Sequence, residues 1–167
     1  MMNFAPLAQR QRAFFQSGAT RPLESRRAQL RKLGQALEAN QTVLFHALHA
    51  DLRRSPHDAY LGEVGFVLSE VRHAIRHLPS WMKPRRRRIP ILAWPGKGFI
   101  HSEPYGVTLI IGPWNYPLQL LLTPLVGAIA SGNCAMLKPS ELAPHTAAAV
   151  SKLIRETLAE EYIAVYE

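Results

Sequence analysis

At 167 residues, with 47% hydrophobic residues and a formal net charge of +8, the chain is long enough to bury a core, which excludes disorder throughout. Its single cysteine excludes an internal disulfide framework and a cysteine-based structural zinc site. No stretch of about 18 apolar residues occurs, and residues 1–16 lack the sustained apolar core of a secretory signal. The default reading is a soluble, cytoplasmic protein without a membrane span.

The basic excess is uneven. Residues 1–100 carry 17 Lys and Arg against 6 Asp and Glu, whereas residues 101–167 carry 3 against 6. Thr20 to Leu52 reads as helical, since Leu23, Leu30, Leu33, Leu37, Leu44 and Leu48 recur near helical spacing. Asn40 interrupts that pattern and marks a bend or a boundary between two helices. A second helical stretch is predicted from Pro56 to Pro79, with Ser55 as cap and Pro56 in the first turn. Tyr60, Val64, Val67, Leu68, Val71 and Ile75 form its apolar stripe. His73 and His77 share one face, but no acid or thiol completes a ligand set and Arg72 and Arg76 crowd it, so no metal site is assigned.

Residues 84–104 change character. Pro84, Pro90, Pro95 and Pro104 exclude a helix. Ile89 to Trp94 and Phe99 to His101 are predicted as two strands of a β-hairpin, joined through Pro95-Gly96-Lys97-Gly98. The pattern then alternates. Val107 to Ile111 is an apolar, β-branched run expected to be a strand buried on both faces. A helix follows from Pro117 to Ser131, with a break at Pro124 and Gly132 just past its end. Cys134 to Leu137 is a second strand, Pro144 to Leu158 an amphipathic helix, and Tyr162 to Tyr166 a third strand. The expected fold is α/β: N-terminal helices and a hairpin, then an incomplete Rossmann-like parallel sheet with right-handed crossovers. Three parts are expected: residues 1–83 helical, 84–104 the hairpin, and 105–167 the βαβαβ segment.

In an open parallel sheet, ligands bind outside the carboxyl ends of the strands. Two such ends are visible, Gly112 to Pro117 and Lys138 to Glu141. Asn115 has two readings there. Its amide beside a helix N-terminus suits a developing oxyanion; alternatively it only caps the following helix. Lys138 and Glu141 offer a donor and an acceptor that together suit the vicinal hydroxyls of a ribose, or else form an exposed ion pair of little weight. The glycine-rich dinucleotide fingerprint and the P-loop are both absent. Cys134 lies within a buried strand and reads as an inert apolar residue.

Glu103-Pro104-Tyr105-Gly106-Val107, Ile110-Ile111-Gly112-Pro113-Trp114-Asn115-Tyr116-Pro117, Gly132-Asn133 and Lys138-Pro139-Ser140-Glu141 together resemble the aldehyde dehydrogenase superfamily. Ala50-Asp51-Leu52 through Trp81-Met82-Lys83-Pro84 resembles its class 3 branch of fatty and aromatic aldehyde dehydrogenases. The likeness runs from near Ser25 to Val165. It implies oxidation of an aldehyde substrate to a carboxylic acid with NAD or NADP, by a cysteine nucleophile and a glutamate base. It further implies that Asn115 donates to the oxyanion, that Lys138 and Glu141 hold the adenosine ribose, and that Gly112 and Trp114 line the cofactor cleft. Members of that family are much longer, and their nucleophile and base fall beyond Glu167, so this chain alone is expected to be inactive. The hairpin would belong to the region that pairs subunits into a homodimer. Two competing readings are a basic module for nucleic acid or an anionic surface, and an orphan fragment. Arg85 to Arg88 have no interleaved aromatics and no nucleic-acid motif accompanies them, which argues against nucleic acid as a partner.

Overall fold

The computed structural model describes residues 5–166. Helix α1 (Ala5–Gln16), which the sequence reading did not assign, is followed by α2 (Leu23–Ala39) and α3 (Gln41–Leu52). Asn40 separates α2 from α3 as expected. Its backbone leaves the helical region, and its side-chain amide donates to the Ala36 carbonyl over 2.9 Å. A short α4 (Pro56–Ala59) begins at Ser55, whose hydroxyl accepts from the Asp58 N–H. A wide π turn then spans Tyr60–Val64 before α5 (Gly65–Trp81). Any side chain at Gly65 would stand 2.8 Å from the Tyr60 carbonyl that closes this turn. The turn brings Glu63 inward beside Val64, and both are fully buried.

The hairpin is real, but its first strand is not where the apolar pattern put it. Strand β1 is Arg85–Arg87, paired antiparallel with β2 (Gly98–Ile100), Arg86 opposite Phe99. Ile89 to Trp94 instead forms the connection, with a 3₁₀ turn at Ile91–Ala93. Pro90 and Pro95 leave that stretch without the donors a strand needs.

Three parallel strands complete the chain: β3 (Val107–Ile111), β4 (Cys134–Lys138) and β5 (Ile163–Val165), in the order β3-β4-β5. Helix α6 (Gln119–Ser131) joins β3 to β4, and α7 (Pro144–Thr157) joins β4 to β5. Pro117 falls outside α6, and Pro124 lies within it without ending it. Gly132 takes the left-handed conformation, φ 87°, just past the helix end. One core runs from Leu30, Leu33 and Leu37 of α2 through α5 and α6 to Cys134, Ile154 and Val165. Of β3, only Ile110 is buried. Leu109 and Ile111 are 61% and 65% exposed, which corrects the expectation of a strand covered on both faces.

No helix among the described residues is long and apolar enough to cross a membrane.

Candidate functional site at the strand ends

The junctions β3–α6 and β4–α7 open at the same end of the parallel sheet. They are tied together by one backbone bond, from the Gly112 N–H to the Lys138 carbonyl over 2.9 Å. Gly112 is buried because α6 passes close by. An added Cβ would meet the Leu121 side chain at 3.1 Å.

Beyond Gly112, the loop carries Trp114, Asn115 and Tyr116 to the surface. The Asn115 side chain makes no hydrogen bond to a described residue. Its backbone carbonyl accepts from Arg54 Nη2 over 2.8 Å. The same guanidinium lies over the Tyr116 ring, 4.2 Å from its centroid. Asn115 therefore does not cap α6. That task falls to Glu63, whose Oε2 accepts from the Leu118 N–H at 3.1 Å and the Gln119 N–H at 2.8 Å. Its other oxygen faces Arg54 Nε at 3.6 Å. Burial pushes the Glu63 carboxyl above its ordinary range, while the Gln119 N–H, Arg54 and the Leu118 N–H act in the opposite direction.

The second junction repeats the device. The Asp51 carboxylate accepts from the Thr146 N–H at 2.7 Å and the His145 N–H at 3.2 Å, and pairs with His145 Nδ1 at 2.7 Å. Its side chain is only 1% exposed. Burial disfavours the anion, but the bonds from Thr146 and His145 outweigh it and hold the carboxyl below the usual range. Two carboxylates of the helical lead-in thus close the two helix starts that follow strands. Nothing local in the sequence pointed to Arg54, Glu63 or Asp51. Glu63 was hidden within an apolar stripe, and Asp51 lies 95 residues from Thr146.

Lys138 ends β4, and its Nζ meets Glu141 Oε2 at 2.8 Å, with both side chains largely exposed. The hydrogen bond from Lys138 holds the Glu141 carboxyl below its ordinary range. The structure therefore brings Gly112, Lys138 and Glu141 together, and leaves Trp114 and Asn115 on the adjoining loop. No described hydrogen bond or ring contact joins the side chains of Trp114 or Asn115 to those of Lys138 or Glu141. Cys134 is fully buried in β4, and burial pushes its thiol up to about 11. The His73 and His77 rings lie tilted with 4.1 Å between centroids, Trp81 stacks beside His77, and no group of three or more metal-binding side chains occurs among the described residues.

The aldehyde dehydrogenase family profile matches residues 6–165. Over 156 residues the chain is 41% identical to 4,4'-diaponeurosporen-aldehyde dehydrogenase of Staphylococcus aureus, covering 93% of this chain and 34% of that protein. It is 45% identical over 149 residues to human aldehyde dehydrogenase family 3 member B1, covering 89% of this chain and 31% of the relative. A solved structure of S. aureus AldH in its substrate-bound state superposes with a TM-score of 0.96 at 39% identity, over 100% of this chain and 36% of that one. The chain spans about a third of the length of the curated relatives it matches.

Proposed function

The chain belongs to the aldehyde dehydrogenase family, and on that premise we propose that it contributes the ribose grip and the oxyanion donor of an NAD(P)-dependent oxidation of aldehydes to carboxylic acids. The observation that carries this reading is the state of Asn115. Its amide is exposed and uncommitted, while its backbone is held by Arg54 and its expected capping task is done by Glu63. A donor held in place in advance and aimed at no internal partner is what stabilisation of a developing oxyanion requires.

The donor set at the second junction fits the cofactor's ribose. Lys138 offers N–H donors and Glu141 an acceptor, three residues apart at a strand end where such ligands lie. When bound, NAD or NADP supplies the hydride acceptor. Trp114 and the packed backbone at Gly112 form the wall of the cleft beside it. Cys134 takes no part as nucleophile, because it is buried and its thiol stays protonated at neutral pH. It is the only cysteine of this sequence, so the chain by itself forms no reduced cofactor from aldehydes. The family relationship further supports residues 84–104 as a hairpin of the bridging region that pairs subunits, and with it a homodimeric assembly.

Calorimetric titration of the purified chain with NAD and NADP tests the reading. Lys138→Ala and Glu141→Gln are expected to weaken binding about tenfold, by about 1.4 kcal/mol, and Asn115→Ala to leave it unchanged. In a polypeptide that also carries the nucleophile, Asn115→Ala is expected to lower kcat by about 10²–10³. Unaltered affinity in both ribose variants, or unaltered turnover in Asn115→Ala, removes the corresponding assignment.

A further inference from the structure

Residues four apart on a helix share one face, one turn above the other. His73 and His77 stand so on α5, His73 exposed and His77 half-buried, with 4.1 Å between ring centroids. His77 Nδ1 lies 2.9 Å from the His73 carbonyl. A carbonyl only accepts, so Nδ1 carries a proton, and in the neutral ring Nε2 is the lone-pair nitrogen. Metal-binding histidines are held in this way, by a bond from the second ring nitrogen to a backbone carbonyl or a carboxylate. Trp81 stacks on the same ring, 6.0 Å between centroids and 22° between planes. The His73 ring makes no hydrogen bond to a described residue and turns about a broad χ2 torsion. An ion bound to both rings at about 2.1 Å needs the two nitrogens about 3 Å apart, within reach of rings this close. The crowding by Arg72 expected from the sequence is relieved, because Glu38 of α2 pairs with it at 2.9 Å. Arg76, beside His77, forms no ion pair among the described residues, and its charge disfavours a hard ion held by electrostatics alone.

We propose that His73 and His77 form an open two-ligand site for a divalent transition-metal ion, copper ahead of nickel and zinc, with the remaining coordination positions filled by water. Imidazole suits these ions, whereas magnesium and calcium take oxygen ligands. Among the described residues no acid or thiol gathers with the pair, so the protein supplies two ligands and the ion stays open to solvent. The site spans a weak point of α5. Pro79 has no N–H to give the Ile75 carbonyl. An ion joining His73 to His77 bridges the turn that contains Ile75 and steadies the helix end that leads into the hairpin. The site is independent of the ribose and oxyanion assignments, none of whose residues it uses.

The test is a titration of the whole chain at pH 7 with the chlorides of copper(II), zinc(II) and magnesium(II), read by calorimetry and by residue-resolved NMR. Copper is expected to broaden the amide and imidazole resonances of His73 and His77 before any others. Zinc is expected to shift the same resonances at higher concentration and to slow amide exchange through residues 75–81 several-fold, and magnesium to do neither. His73→Gln and His77→Gln are each expected to weaken copper binding at least about tenfold, whereas the exposed His46→Gln leaves it unchanged. Long-range nitrogen spectra of the metal-free chain are expected to show His77 protonated on Nδ1. Copper broadening centred on His46 and His49 or on the start of the chain, with the α5 histidines sharp, overturns the proposal without recourse to any variant. An affinity for copper unchanged in both α5 variants overturns it as well, as does magnesium binding as tightly as zinc. Zinc shifts at both histidines with exchange through residues 75–81 unaltered would remove the bridging of the turn and leave the metal site standing.

Discussion

The guanidinium of Arg54 donates to the carbonyl of Asn115 over 2.8 Å and covers the neighbouring Tyr116 ring. A residue between two helices of the lead-in therefore sets the backbone of the loop that presents the Asn115 amide. Lysine lacks the planar fork that makes both contacts at once. Arg54→Lys is expected to speed amide exchange across residues 112–117 several-fold, with a change in global stability of only about 1 kcal/mol. Unchanged exchange in that loop would show that the clamp holds nothing.

Fully buried, Glu63 binds two helix-start N–H groups and faces Arg54. Glu63→Ala leaves both N–H groups without their acceptor and Arg54 without its counter-charge, and a loss of about 3 kcal/mol in urea denaturation is expected. Glu63→Gln keeps an acceptor and is expected to lose less. Equal costs for the two variants would mean that only the charge matters.

Asp51 carries a pH signature of defined sign. Its carboxyl lies below the ordinary range in the folded state, so its contribution is complete above the unfolded value of about 3.9 and is lost as pH falls through the lower folded value. Asp51→Asn is expected to be less stable at pH 7 by about 2 kcal/mol. Its stability is also expected to fall less steeply than that of the parent between about pH 4 and lower values. Parallel stability curves in that window would count against the assignment.

Cys134 is buried with its thiol pushed up to about 11. Ellman's reagent at pH 8 is expected to label it at least about 100-fold more slowly in the native chain than in urea. Rapid native labelling would contradict the buried strand position.

Gly132 has φ 87°, and an added Cβ would lie 2.7 Å from the Arg26 guanidinium. That guanidinium is itself fixed by the Thr20 and Ala130 carbonyls. Gly18 has φ 79° but open space around it. Gly132→Ala is thus expected to cost about 2 kcal/mol or more, and Gly18→Ala about 1 kcal/mol, the backbone part alone. A Gly18 variant as damaging as the Gly132 variant would refute the steric part.

What the sequence disclosed and what it withheld divide along a physical line. The sheet was legible because β3, β4 and β5 are short apolar runs set off by Gly and Pro, with an apolar helix and then an amphipathic one between them. The Lys138–Glu141 pair was legible because its partners are three residues apart. The hairpin was misplaced because the strand Arg85–Arg87 is exposed on both faces and so carries no alternation. Helix α1 escaped for a related reason, since only Leu7 and Gln11 of it are buried. The capping of α6 by Glu63 spans 55 residues and needs a π turn to aim the side chain. No local pattern encodes that. The two-sided burial expected of β3 failed because α1 reaches only part of its outer face.

Gln11 bears on the synthesis of the chain. Its buried side-chain amide donates to the Ala135 carbonyl at 2.9 Å and to the Tyr162 carbonyl at 3.4 Å. Helix α1 therefore has no complete seat until residue 162 has been made. It must wait, with Leu7 and Phe14 uncovered, while residues 17–162 are synthesised.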